Sequence, residues 1–202
     1  RLAIRGGKIH AGKKSLPFAG LMQKIFLSKA GELIGRGAYQ DVKSNKAVLG
    51  SPTTFWEISW GGAEVEVDRD SGEIKLIRYV SLADVGQAIN PVLCEGQDEG
   101  GVMNAIGHTL LEEMVYKDGQ LLNPNLVDYV LPALGDMPPV IDPICVETPD
   151  RNGPFGAKGI GESALIPVAP AIANAIYDAV GVRIKDLPIK AEKIYFGLEQ
   201  KS

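Results

Sequence analysis

A chain of 202 residues with 45% apolar content is long enough to bury a proper core as one domain or two small lobes, and its 24 glycines and 13 prolines predict many tight turns without low complexity. A formal net charge of −4 and a pI near 5.3 leave no broad cationic surface for a phosphate backbone or an anionic membrane, so nucleic-acid and membrane partners are set aside. No apolar run reaches the roughly 18–20 residues of a membrane span, and Cys94 and Cys145 have neither CxxC spacing nor clustered histidines, which predicts reduced, buried thiols in a cytoplasmic protein rather than a zinc or iron–sulfur site.

The segment LAIRGGKI at 2–9 predicts two short strands turning at Gly6-Gly7. Ser15 ahead of Pro17 predicts a helix over about 16–29 that buries Phe18, Leu21, Met22 and Ile25. Between Gly31 and Pro52, Gly, Lys and Asn break the pattern into a flexible connection, with one strand expected around Leu33–Tyr39 and any domain boundary near 41–52. That connection would separate an N-terminal segment, 1–50, from a C-terminal part, 51–202. Trp56, Ile58 and Trp60 alternate onto one strand face, the pattern of a core or an interface.

The clearest strand is Ala63–Asp68, where apolar and acidic residues alternate at period 2; a turn at Asp70-Ser71-Gly72 leads to a partner strand, Ile74–Val80. Asn90 as cap with Pro91 at the first helical position opens a helix over about 91–114. Met114–Leu122 predicts a second hairpin turning at Asp118-Gly119. Residues 140–147 fit a short edge strand, because Pro143 forbids a central position. An Ala-rich helix over about 170–180 ends at Gly181. The expected class is α+β: a mixed sheet with β-hairpins and packed helices.

Two segments are candidates for chemistry. The loop Gly153–Glu162 has glycines at 153, 156, 159 and 161 and ends on a carboxylate. It fails as a dinucleotide fingerprint, since Pro154 and its glycines forbid the preceding strand, and as a P-loop, since Lys158 is followed by Gly159. Glu162 reads either as a first-turn acid at the positive end of a helix or as a functional carboxylate. On the predicted helix, Gln97, Gly101, Asn104 and His108 share a stripe, and Gly100 and Gly101 weaken a helix by roughly 1 kcal/mol each, a cost that a closely approaching ligand or second helix would explain. His108 and Cys94, taken singly, read as ordinary packed or exposed residues.

These segments carry a resemblance. Asp84-Val-Gly86, Ile89-Asn-Pro91, Glu95-Gly-Gln97-Asp-Glu-Gly-Gly101, Leu111-Glu-Glu, Leu122-Asn-Pro124, Glu147-Thr-Pro149 and Gly156-Ala-Lys-Gly-Ile-Gly-Glu162 follow one another as in the molybdenum hydroxylases. Ala169–Ile176 and Asp186–Ile189 continue the match. The chain thus resembles the C-terminal part of the molybdopterin-binding subunit of the xanthine dehydrogenase, aldehyde oxidase and aerobic carbon monoxide dehydrogenase family.

The resemblance implies the second half of a molybdenum-cofactor-binding domain that hydroxylates an aldehyde or N-heterocycle with water, or oxidises carbon monoxide. It places Glu162 beside the molybdenum as general base and Gln97 on the pterin, with Gly100, Gly101, Lys158, Gly159 and Gly161 at the cofactor; no side chain of this chain ligates the metal. The cofactor would be molybdenum-molybdopterin, as the pterin alone or its cytosine dinucleotide. Fe–S clusters and FAD are expected on other domains or subunits, alongside the remaining half of the molybdenum subunit and a small-molecule substrate. Arg1 at the start fits a processed subunit or a piece of a longer one, inactive alone. Asp98 occupies the variable position of its motif and raises no expectation. A different class remains open: a noncatalytic structural or assembly module that keeps the fold without molybdenum.

Overall fold

The computed structural model describes residues 2–27, 34–40 and 54–200, arranged as two compact units, 1–40 and 41–202. The boundary expected near 41–52 lies outside the described residues, as does the expected flexible connection apart from 34–40.

In the first unit, β1 (Leu2–Arg5), β2 (Lys8–Ala11) and β3 (Lys14–Pro17) form an antiparallel meander, followed by α1 (Phe18–Phe26). The turn at Gly6-Gly7 forms with both residues at positive φ. Residues 14–17 differ from expectation: they pair with β2 and the helix begins after Pro17, which supplies a ready φ but no N–H. None of α1 is buried; Phe18 and Ile25 are exposed, because a three-stranded meander this short offers no second layer for an apolar helix face. Residues 34–40 form no strand.

The second unit is α+β. β4 (Ser59–Val67) pairs antiparallel with β5 (Ile74–Asp84), and the alternating run 63–68 half-buries Ala63, Val65 and Val67 against the core while its acidic residues stay exposed, as its period dictates. Asp68 Oδ1 accepts the N–H groups of Asp70 and Ser71 to form the turn, at 2.8 and 3.1 Å. A bulge opposite Glu64/Val65 leaves Ile77 without a partner and switches the face of β5. Leu76 and Tyr79, three residues apart, are therefore both buried, and Ser81 and Ala83 follow Tyr79 inward while Val80 does not.

The chain then crosses over through α2 (Pro91–Leu110) to β8 (Val140–Val146), which runs parallel to β5 in register from Arg78↔Val140 to Asp84↔Val146. The mixed sheet has the order β4-β5-β8, so Pro143 sits on an edge as expected. Asn90 caps α2 by accepting the Leu93 N–H at 3.2 Å, and the helix stops at Leu110, four residues short of expectation, where Leu111 and Glu112 both turn their N–H groups back to Gly107. Between α2 and β8, β6 (Tyr116–Lys117) and β7 (Gln120–Leu121) turn through Asp118-Gly119, both at positive φ.

α3 (Val168–Val180) ends at Gly181 in the left-handed conformation and covers β4. Contrary to the expectation that no run is long enough, one stretch among the described residues, Ser163–Val180, is long and apolar enough by length and composition to cross a membrane; it contains this helix, whose Val168, Ile172 and Ile176 are buried in the core. α4 (Ala191–Glu199), which the sequence reading did not anticipate, adds Ile194 to that core beside Val102 and Ile106 of α2. Cys94 and Cys145 are unpaired but only half-buried, less enclosed than expected.

Candidate functional site

Parallel pairing has one consequence for function: β5 and β8 end together at Asp84 and Val146, so the loops that follow them leave the same end of the sheet, where α2 begins. The strand end is extended by hydrogen bonds from Val85 N–H to Val146 O (3.0 Å), Gln87 N–H to Gly156 O (2.8 Å) and Lys158 N–H to Val85 O (3.0 Å). Gly86 is the residue that allows this contact. Its φ is +68°, and a Cβ there would lie 2.4 Å from Gly156 O.

The second loop thus folds back along the β5 end and carries residues 159–162 toward the first turns of α2. Gln97 meets it there: its Nε2 donates to Gly161 O at 2.8 Å, across 64 residues of sequence. Glu162 follows directly. It is exposed, occupies the position before the short 3₁₀ turn Ser163–Leu165, and makes no side-chain capping bond to it. Glu162 thus stands one position before the first turn rather than within it, and its carboxylate forms no ion pair among the described residues.

Behind Glu162 the backbone is held firmly. Ser163 Oγ donates to Glu57, and Ser59 Oγ donates to Ser163 O at 2.9 Å. Burial raises the Glu57 carboxyl, against the opposing pull of the Ser163 hydrogen bond. Phe55 lies beside Gly159.

The two helix glycines part company. Gly101 is buried, and a Cβ on it would lie 2.9 Å from Ala164 Cβ and 3.3 Å from Leu165, so the close approach it permits is that of the segment after Glu162. Gly100 is exposed and a Cβ there would meet nothing within 4 Å; Gly161 is equally open. Between the loops and α2 lies a cavity of about 490 Å³, lined by Val85, Leu93, Gln97, Lys158, Ile160 and Gly161 among others, a size that suits an organic ligand.

Lys158 is placed differently from the open glycines. Its ammonium lies 2.5 Å from Asp84 Oδ2, with both side chains nearly buried. His108 stands apart, exposed near the far end of α2 with its Nδ1 3.7 Å from Glu112.

One buried group was missed. Asp98 is 1% exposed and, among the described residues, neither of its carboxylate oxygens has a hydrogen-bond partner; Ser81 Oγ and Tyr79 OH are likewise buried without one. Burial raises the Asp98 carboxyl, offset in part by the nearby Ser81 hydroxyl, and burial raises the Tyr79 phenol too. The signal was present: residue 98 shares the face of Val102, Ala105 and Thr109, which the structure buries.

Residues 1–138 match the family model described as a molybdopterin cofactor-binding domain. Over 171 residues the chain is 37% identical to the probable hypoxanthine oxidase XdhD of Escherichia coli (strain K12), covering 84% of this chain and 17% of that protein. It is also 37% identical, over 135 residues, to the gamma subunit of the 6-hydroxypseudooxynicotine dehydrogenase complex of Paenarthrobacter nicotinovorans, covering 65% of this chain and 17% of that one. The crystal structure of quinoline 2-oxidoreductase from Pseudomonas putida 86 superposes with a TM-score of 0.75 at 30% identity, covering 98% of this chain and 26% of that chain. The chain spans about a sixth of the length of the curated relatives it matches.

Proposed function

The chain belongs to the molybdopterin cofactor-binding domain family, and from that premise we propose that it supplies the base-bearing side of the active site of a molybdenum hydroxylase. The observation that carries this reading is the hydrogen bond from Gln97 to Gly161 O, which sets the amide expected at the pterin against the residue preceding the expected base.

The residues present fit such a group. Gly100 and Gly161 leave backbone uncovered, Gln97 keeps its carbonyl oxygen and a second N–H for a ligand, and the cavity beside them is walled by Gly161, Ile160 and the stem of Lys158. Gln97, Gly100, Gly159 and Gly161 would hold the cofactor, whereas Gly101 reaches it only by letting the segment 163–165 close on α2. When bound, molybdenum-molybdopterin supplies two-electron oxidation.

Glu162 accepts a proton at a carboxylate oxygen from the water-derived oxygen that attacks substrate. Among the described residues its carboxylate forms no ion pair, which leaves both oxygens open toward a substrate. Gln97 orients the loop through Gly161, and Ser163 with Glu57 anchors the residue that follows Glu162. Substrates would be small aldehydes, N-heterocycles or carbon monoxide. Partners would be the remaining half of the molybdenum subunit with Fe–S and FAD domains or subunits, in the cytoplasm.

Glu162→Gln in the assembled enzyme keeps the shape and removes the proton acceptor. The substrate-dependent reduction step, followed by rapid mixing, should slow by about 10²–10⁴-fold while molybdenum content stays at the wild-type level. A rate within about threefold of wild type, with the same acidic limb in its pH profile, overturns the assignment. An assembled protein without molybdenum would favour the noncatalytic module.

A further inference from the structure

The loop that carries Glu162 is tied to the sheet at one buried point. Asp84, the last residue of β5, is 7% exposed. Its Oδ2 receives the Lys158 ammonium at 2.5 Å and the Thr148 hydroxyl, and its Oδ1 receives the Gly86 N–H at 3.0 Å. The Lys158 ammonium also donates to Thr148 Oγ1 at 3.3 Å, so three elements converge: the β5 end, the residues after β8 and the glycine loop. Burial alone would raise the Asp84 carboxyl, but hydrogen bonds from Lys158, Thr148 and Gly86 outweigh it and hold it below its ordinary value.

The geometry assigns Lys158 to Asp84: we propose that Asp84, Thr148 and Lys158 form a lock that fixes the position of Glu162, with Lys158 acting inward on the lock and not as a cofactor ligand. Two points pin the loop. Lys158 is held by Asp84 at one end, and Gly161 is held by Gln97 at the other, leaving Gly159 and Ile160 as the span between. A glycine-bearing span has many conformations when one pin is released, and Glu162 hangs from its end. A buried ion pair responds as a unit, because removing either partner strands the other charge away from water. The three are positioning residues, and that role rests on Glu162 being the base.

The test is amide hydrogen exchange by mass spectrometry on the full subunit that carries this chain, read at Gln87 and over 157–162, together with steady-state kinetics and metal content. Lys158→Met and Asp84→Asn should each speed exchange there by about tenfold or more, and the double variant should go no further than either single one. Lys158→Arg keeps the charge and should stay within about threefold of wild type. If the charge variants fail to fold, Thr148→Val, which deletes one hydroxyl, decides by the same readout with a smaller increase.

In the holoenzyme, Thr148→Val should lower kcat with KM and molybdenum content unchanged. Exchange at wild-type rates in Lys158→Met, or molybdenum lost in Lys158→Met but kept in Asp84→Asn, overturns the lock and makes Lys158 a cofactor ligand. The exchange readout needs no cofactor, so a failure of the hydroxylase reading shows instead as a wild-type subunit without molybdenum.

Discussion

Asp98 is a carboxyl on the buried face of α2 with no hydrogen-bond partner within reach among the described residues, and burial raises its pKa against a smaller opposing pull from the Ser81 hydroxyl. The folded protein therefore keeps this proton to higher pH than the unfolded chain, where an aspartate titrates near 3.9. A raised carboxyl is least harmful below the unfolded value, and stability drains away as pH climbs from there toward the folded value. Asp98→Asn cannot ionise. Its urea midpoint should match wild type near about pH 4 and exceed it increasingly above, by at most about 1.4 kcal/mol per pH unit. A variant less stable than wild type at about pH 8 would mean that the carboxylate is charged and satisfied in the fold. Glu162 and Asp98 show opposite limits of residue-scale reading. Glu162 stands out only through its motif, because an exposed carboxylate before a short turn has no local signature. Asp98 was passed over as a variable position although its helical face marked it as buried.

At the scale of elements, α2 offers a matched pair of substitutions. Gly100→Ala meets open space and should stabilise the cofactor-free protein by about 1 kcal/mol through helix propensity. Gly101→Ala drives a Cβ to 2.9 Å from Ala164 and should cost about 1–3 kcal/mol, displacing the segment that follows Glu162. Thermal melts of the two variants check both signs; equal shifts would mean that α2 does not rest on 163–165 as described. The hairpin of β4 and β5 and the start of α2 were legible because each has a local cause: period-2 alternation, an Asp-based turn, an Asn cap before proline. The strand at 14–17 was not, since its reason is the neighbouring β2 rather than its own residues. The bulge at Ile77, which brings both Leu76 and Tyr79 inward, is likewise set by pairing across the sheet. Nor could the sequence show that β5 and β8 end side by side, the fact that gathers Asp84, Gln97 and Glu162 at one end of the sheet.

For the whole molecule, the apolar surface is the telling feature. Trp56, Ile58 and Trp60 were expected on one strand face; only Trp60 lies in β4, with Trp56 and Ile58 in the segment before it, and the three are 44%, 49% and 57% exposed in chain order. On the first turn of α2, Val92 and Leu93 are exposed as well, beside the cavity that Gln97 and Gly161 line. Apolar clusters of this kind mark surfaces that another part of an assembly covers. Under the proposed reading, the rest of the molybdenum subunit covers these clusters and shares the cofactor. The most direct measurement is molybdenum and pterin content per chain, determined for the chain purified alone and for the chain purified with the remainder of that subunit. The account predicts far less than one equivalent in the first case and close to one in the second; a full equivalent bound by the isolated chain, or none in the assembled subunit, would contradict it.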